Sequence, residues 1–214
     1  LTVDTPNLDA LLAEYGMTRQ EGLVIENDSN YYAYRYPQTY LLPSLSSNDI
    51  TAGITDGMYV FTPVAQGIVK GDSTDDLTLT TLLSTSSTAY AMQDYAEATT
   101  AEQGANDPNG PFNIAVAASN SATGAKVVWV NCPNMLNSQM NSAVSGGNAQ
   151  LLTSAVNWMT GEENGVVIDS KSMSAETLTV PAKATMLLGL LFTIVVPLAF
   201  IVAGIAITLV RRRR

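Results

Sequence analysis

Apolar positions come in short runs up to residue 183 and then in one unbroken run. Residues 184–210 read ATMLLGLLFTIVVPLAFIVAGIAITLV, 27 positions without a charged side chain. A helix rises about 1.5 Å per residue, so this run would reach roughly 40 Å, and a bilayer core of about 30 Å needs only about 20 apolar residues. Arg211, Arg212, Arg213 and Arg214 follow at once, and Lys183 stands before it. The pattern predicts one C-terminal transmembrane helix. A buried core helix and a cleaved sorting or lipid-anchor tail are the alternatives for the same residues. Short basic flanks stay on the cytoplasmic side, which places the arginine tail inside the cell membrane and the preceding chain outside. Pro197 removes a backbone donor within the run and should kink it. Gly189 and Gly204 are small enough to admit a neighbouring helix. Residues 1–180 are thus expected as an extracytoplasmic domain, and 181–214 as an anchor contacting membrane lipid. An outward-facing domain needs an export signal, and Leu1 opens without one. The expectation is a C-terminal portion of a longer protein, with its first strands upstream.

Ahead of the run the periodicity alternates between helix and strand. In 5–16, Leu8, Leu11, Leu12 and Tyr15 share one helical face, Thr5 or Asn7 can cap, and Gly16 ends the helix. Residues 22–26 (GLVIE), 58–62 (MYVFT), 77–83, 112–118 (FNIAVAA), 126–131 (KVVWVN) and 165–169 (GVVID) read as strands. Residues 47–54 suit a helical turn capped by Asn48 or Asp49, and 94–101 a partly helical excursion. The connector 119–124 is short enough for an antiparallel hairpin. Residues 148–160 (NAQLLTSAVNWMT) form the clearest amphipathic helix, bracketed by Gly146, Gly147 and Gly161. Strands and helices in alternation predict an α/β domain around a mostly parallel sheet.

Charge narrows the partners. Before Lys183 there are five basic and nineteen acidic residues, a formal charge of −14. Such a surface repels nucleic acid, and nucleic-acid binding is excluded. One cysteine, Cys132, allows no internal disulfide, so the domain must stand on its core.

The chemistry is sparse. The chain has no histidine, which removes the commonest general base and the usual zinc ligand. No nucleophile elbow, Walker A loop or dinucleotide fingerprint is present. Asp72, Asp75 and Asp76 lack a calcium-loop pattern and read as a solvated turn. Cys132 has no neighbouring base and reads as structural. No catalytic, cofactor-binding or metal-ligating residue is assigned. Two clusters remain as ligand or partner contacts. Tyr31, Tyr32, Tyr34 and Tyr36 offer an aromatic platform or, alternatively, a packed loop. Asn131 and Asn134 follow the 126–131 strand, where α/β folds place ligands, or else cap a helix.

The order VVWVNCPNMLNS (127–138), GGNAQLLTSAVNWMTGEE (146–163), VVIDSKSM (166–173), then an apolar run with an internal proline and closing arginines, resembles the C-terminal portion of GldG-type auxiliary proteins of ABC transporters, the gliding-motility-associated family. Residues 7–28 resemble the helix-then-strand segment of the same proteins. The likeness is thin from about residue 30 to 109. It implies a flavodoxin-like or glutamine-amidotransferase-like α/β domain without catalytic residues, with flanking helices, plus one C-terminal transmembrane helix. It implies a non-catalytic, membrane-anchored subunit of a bacterial ABC transport system, partnered by a permease and an ATPase. A cell-surface glycan- or protein-binding module with a single membrane anchor is the alternative, with an envelope polymer or a peptide as its partner.

Overall fold

The computed structural model describes residues 5–33, 37–161, 191–198, 200, 204, 211 and 212. The chain forms two compact units, Leu1–Ser170 and Lys171–Arg214.

The first unit opens on α1 (Pro6–Glu14), followed by β1 (Met17–Arg19) and β2 (Leu23–Ile25). Gly16 has φ +67°, the left-handed backbone that lets the chain reverse from α1 straight into β1. Then come β3 (Tyr40–Leu41), β4 (Ser44–Leu45), β5 (Thr62–Pro63), β6 (Ile68–Lys70), β7 (Leu77–Ser84) and β8 (Tyr90–Met92). The unit closes with β9 (Asn113–Asn120), β10 (Lys126–Val130), a 3-10 turn (Pro133–Leu136), α2 (Ser138–Ala143) and α3 (Gly147–Thr160).

The main sheet runs β1-β6-β9-β7-β4, with β10 also on β9, and β2–β8 and β3–β5 are separate pairs. Every described ladder is antiparallel. The expected mostly parallel, flavodoxin-like or glutamine-amidotransferase-like sheet is therefore corrected. The reason lies in β9. Its residues Ile114, Ala115, Val116, Ala117 and Ala118 are all buried. Val116 and Ala118 pack with Leu12 of α1, Met17 and Leu79. Ala115 and Ala117 pack with Leu82, Leu83 and, from α3, Leu151 and Ala155. A strand covered on both faces loses its polar alternation and reads like a parallel one, whatever its partners' direction. The second misleading sign was β2. It does not complete a crossover behind α1; its partner is β8, in register Val24↔Ala91.

The hairpin β9–β10 is as expected, with Val128↔Ala117. Asn131 N–H donates to Ile114 O at 3.0 Å, which turns the odd-numbered residues of β10 toward β9. The main-chain groups of Val128 and Val130 face the other way, and among the described residues β10 pairs only with β9. Lys126, at the start of β10, donates to Trp158 O at 2.8 Å and lies 4.9 Å from the Trp158 ring centroid, so it caps the last turn of α3. Residues 94–101 form turns rather than a helix.

Glu26 is fully buried, and among the described residues no cation pairs with it. Its carboxylate accepts from Asp28 N–H (3.0 Å), Ser86 N–H (3.0 Å) and Ser86 Oγ–H (2.6 Å). Donors held by two turns replace the lost water, and the bonds join the end of β2 to the turn after β7.

In the second unit, Leu191–Val195 is a π-helix, and Val196, Pro197 and Leu198 continue as α-helix. Among the described residues no helix is long and apolar enough to cross a membrane. The expected single span over 184–210 is corrected on that ground, and with it the cell-membrane localisation, outside head and cytoplasmic tail. The π-helix has a different hydrogen-bond spacing from the uniform rod the apolar run predicts, and the described α-helical stretch after it is short. Pro197, Gly204, Arg211 and Arg212 are exposed helical positions. Gly189, Arg213, Arg214 and the rest of the run lie outside the described residues, as does the strand expected at 165–169.

Candidate functional site

A groove is built where three short extended segments meet α2. Residues 31–33, 40–42 and 61–63 lie side by side. Leu42 N–H donates to Tyr31 O (2.7 Å), Ala33 N–H donates to Tyr40 O (2.9 Å), and β3 pairs with β5 as Leu41↔Thr62. Tyr59 and Phe61, just ahead of β5, line one side of the groove. Across from them, Met140 and Ala143 of α2 and its C-cap Val144 share one face through their three- and four-residue spacing. Ala33, Leu42, Tyr59, Phe61, Gln139 and these three line a cavity of about 390 Å³. Among the described lining residues only Gln139 and Tyr59 carry polar side-chain groups. Met140 also lines a second cavity of about 220 Å³, with Tyr40, Pro63, Val64, Asn134 and Asn137. The two meet at one methionine, apolar on one side and amide-lined on the other. Among the described residues neither lining includes a charged one.

Three devices hold the groove. Asn137 caps α2, its Oδ1 accepting from Gln139 N–H at 2.9 Å. Asn148, 1% exposed, accepts from Phe61 N–H at 2.7 Å through Oδ1 and donates through Nδ2 to Phe61 O and Met135 O, both at 2.9 Å. One side chain of α3 thus completes the main-chain bonding of the strand behind the groove and of the 3-10 turn beside it. Gly147 brings α3 so close to Tyr59 that a β-carbon there would lie 2.1 Å from Tyr59 O. Val64, in the wall of the smaller cavity, has φ +58°. That is a left-handed backbone on a β-branched residue, a strain of about 1–3 kcal/mol. Its N–H bond to Thr39 O at 2.8 Å helps to hold it.

The tyrosine and asparagine clusters fare unevenly. Tyr31 and Tyr32 are half-buried, their main chains tied into the floor of the groove. Tyr34 and Tyr36 lie outside the described residues. Asn131 is not in the groove; its Nδ2 donates to Gly67 O at 3.2 Å. Asn134 is in the smaller cavity, beside Tyr40. Sequence reasoning missed Tyr59, Phe61, Met140 and Val144. Their signals were present but short: one step of strand alternation in MYVF, and one helical turn in QMNSAV.

Cys132 is buried, its Sγ donating to Pro63 O at 3.2 Å. Burial pushes the thiol up to about 11, although the Met135 and Asn134 backbones favour its ionised form. The unfolded thiol ionises near 9 and so loses its proton first as pH rises. The stabilising contribution is complete below pH 9 and is lost by about pH 11. Urea midpoints should fall across that window, and fall less in Cys132→Ala. Equal falls in both would assign the loss to other groups.

A third cavity, about 230 Å³, is lined by Met92, Asp94, Glu97, Ala98, Thr100, Glu102, Gly104 and Asp107. Nearby, the Tyr90 hydroxyl donates to Ala101 O, and burial, then Asp107 and Glu102, push its ionisation upward. Among the described residues no group of three or more potential ligands converges for a metal ion. Asp72, Asp75 and Asp76 are exposed.

No protein-family model and no curated protein matches the sequence. A solved structure described as "mmIFT52 N-terminal domain" is similar in fold, with a TM-score of 0.50 and 16% identity, over 75% of this chain and 60% of that one. This chain thus spans about 60% of the length of that neighbour, and at this identity the likeness is one of fold alone. The membrane and transmembrane-helix part of the expected description is corrected, because no helix among the described residues is long and apolar enough to cross a membrane.

Proposed function

We propose that the first unit is a non-catalytic binding domain whose groove beside α2 receives an apolar side chain of a partner protein. The observation that carries this is the 390 Å³ apolar cavity opening, through Met140, onto an amide-lined one. Ligand sites combine an apolar body with a few placed polar groups, in volumes of about 300–1,000 Å³. The groove holds no nucleophile–base pair, and Cys132 is held neutral nearby. The non-catalytic part of the auxiliary-subunit expectation fits such a domain. The peptide-binding part of the alternative fits it better than the glycan part, because Tyr31 and Tyr32 are built into the floor.

The partner chemistry follows from charge. Residues 1–182 carry a formal −14, while the described residues that line the groove are neutral. The fitting ligand is an apolar anchor flanked by lysine or arginine, drawn in by the outer field and seated by the groove. A randomised peptide library passed over the full chain and over Met140→Glu tests this. Met140 is only half-buried, so the variant should fold. Expected is enrichment on the wild type of one large apolar residue with basic neighbours, at least tenfold above the variant. Equal recovery from both proteins would overturn the reading.

A further inference from the structure

The asparagines around α2 divide into two sets. Asn131, Asn141 and Asn148 are occupied internally. Asn131 bonds Gly67 O, Asn141 Oδ1 accepts from Ala149 N–H at 2.9 Å, and Asn148 makes three buried bonds. Asn134 and Asn137 are exposed, line the smaller cavity, and keep capacity in reserve. Asn137 uses only Oδ1, as the cap of α2, which leaves its Nδ2 donors. Asn134 has one long contact, Nδ2 to Pro63 O at 3.5 Å, and its Oδ1 is unengaged. Together they offer a donor and an acceptor, the complement of the N–H and C=O of one residue in an extended chain.

We propose that Asn134 and Asn137 bind the main chain of an extended peptide whose neighbouring side chain fills the apolar cavity. This rests on the function proposed above and names the ligand further. Asn137 Nδ2 donates to a peptide carbonyl and Asn134 Oδ1 accepts a peptide N–H. Met140, common to both cavities, sits between anchor and main chain and sets their spacing. A free apolar molecule would use only the larger cavity; a peptide uses both. The neutral asparagine pair reads the main chain without reading sequence, so specificity falls to the anchor and to its basic flanks.

The test uses a peptide recovered from the library and the same peptide with an ester in place of the amide following its anchor. The ester lacks the N–H and has a weaker carbonyl. On the wild-type chain the ester is expected to bind at least tenfold more weakly. On Asn134→Ala the difference should shrink to about twofold. Asn137→Ser keeps a capping oxygen but lacks the amide donor; it should weaken the amide peptide at least fivefold with an unchanged thermal midpoint. If ester and amide bind wild type equally, the main-chain role is overturned while the groove remains a binding site. If no library peptide distinguishes wild type from Met140→Glu, the underlying function fails instead. Binding of a free apolar amino-acid amide as tightly as the whole peptide would likewise overturn the main-chain role.

Discussion

Asn148→Ala is expected to cost about 3–5 kcal/mol. The substitution strands three main-chain groups, Phe61 N–H, Phe61 O and Met135 O, behind the groove. Each buried, unmatched group costs about 1–3 kcal/mol, and the three are not independent. For a domain of this size each kcal/mol moves the thermal midpoint by about 2–4 °C, so a fall of about 10 °C is expected. Urea denaturation should show a lower midpoint with little change in slope. A loss below about 1 kcal/mol would mean that water enters and takes over the three bonds. Asn148→Asp should be worse, because a carboxylate would face the two carbonyls that the amide now serves.

Gly147→Ala should cost about 2–3 kcal/mol, by crowding rather than by lost bonds. The added β-carbon would lie 2.1 Å from Tyr59 O and 2.9 Å from Tyr59 C. Those are main-chain atoms, and Asn148 pins Phe61 two residues further on, so the strand cannot yield cheaply. The helix must move instead. Tyr59 lines the apolar cavity, so library-derived peptides should bind this variant more weakly even where it is folded. Thermal scans and peptide titrations on the same sample separate the two effects. Unchanged stability would show that α3 slides without strain.

Both positions sit in the GGN stretch that begins the most legible helix of the chain. The helix was readable because Leu151 and Ala155 recur on one face between glycines. Its true job was not readable, since a glycine reads as a bracket and an asparagine as a cap. Only the fold shows that Gly147 is a point of contact and Asn148 a substitute for a neighbouring strand. The strands β7, β9 and β10 were legible from their runs, and the β9–β10 hairpin from its short connector; the direction of β7 against β9 was not. In β9 the alternation was erased by cover on both faces, and IAVAA fits either direction. The strands β1, β4 and β6 carry three or fewer residues each, too few for any period to emerge. The groove suffered likewise. Met140 belongs to a six-residue helix and Val144 is its C-cap, and Tyr59 and Phe61 belong to a stretch of which only Thr62–Pro63 is paired strand. Asn134 was visible as one of a series but not separable from Asn131, whose amide turns inward. The apolar run after 183 was the loudest signal in the chain, and its length alone suggested more than the described helices support.

The outer margin of β10 has a bearing on how copies of the molecule treat one another. Val128 and Val130 offer donors and acceptors in a row that another strand could match, and no proline or bulge interrupts KVVWV. Mutual repulsion among acidic surfaces keeps such margins apart in dilute buffer. At about 1 M salt the field dies within about 3 Å, and that protection is gone. Ionic strength, more than temperature, then governs whether the molecules remain single or begin to stack.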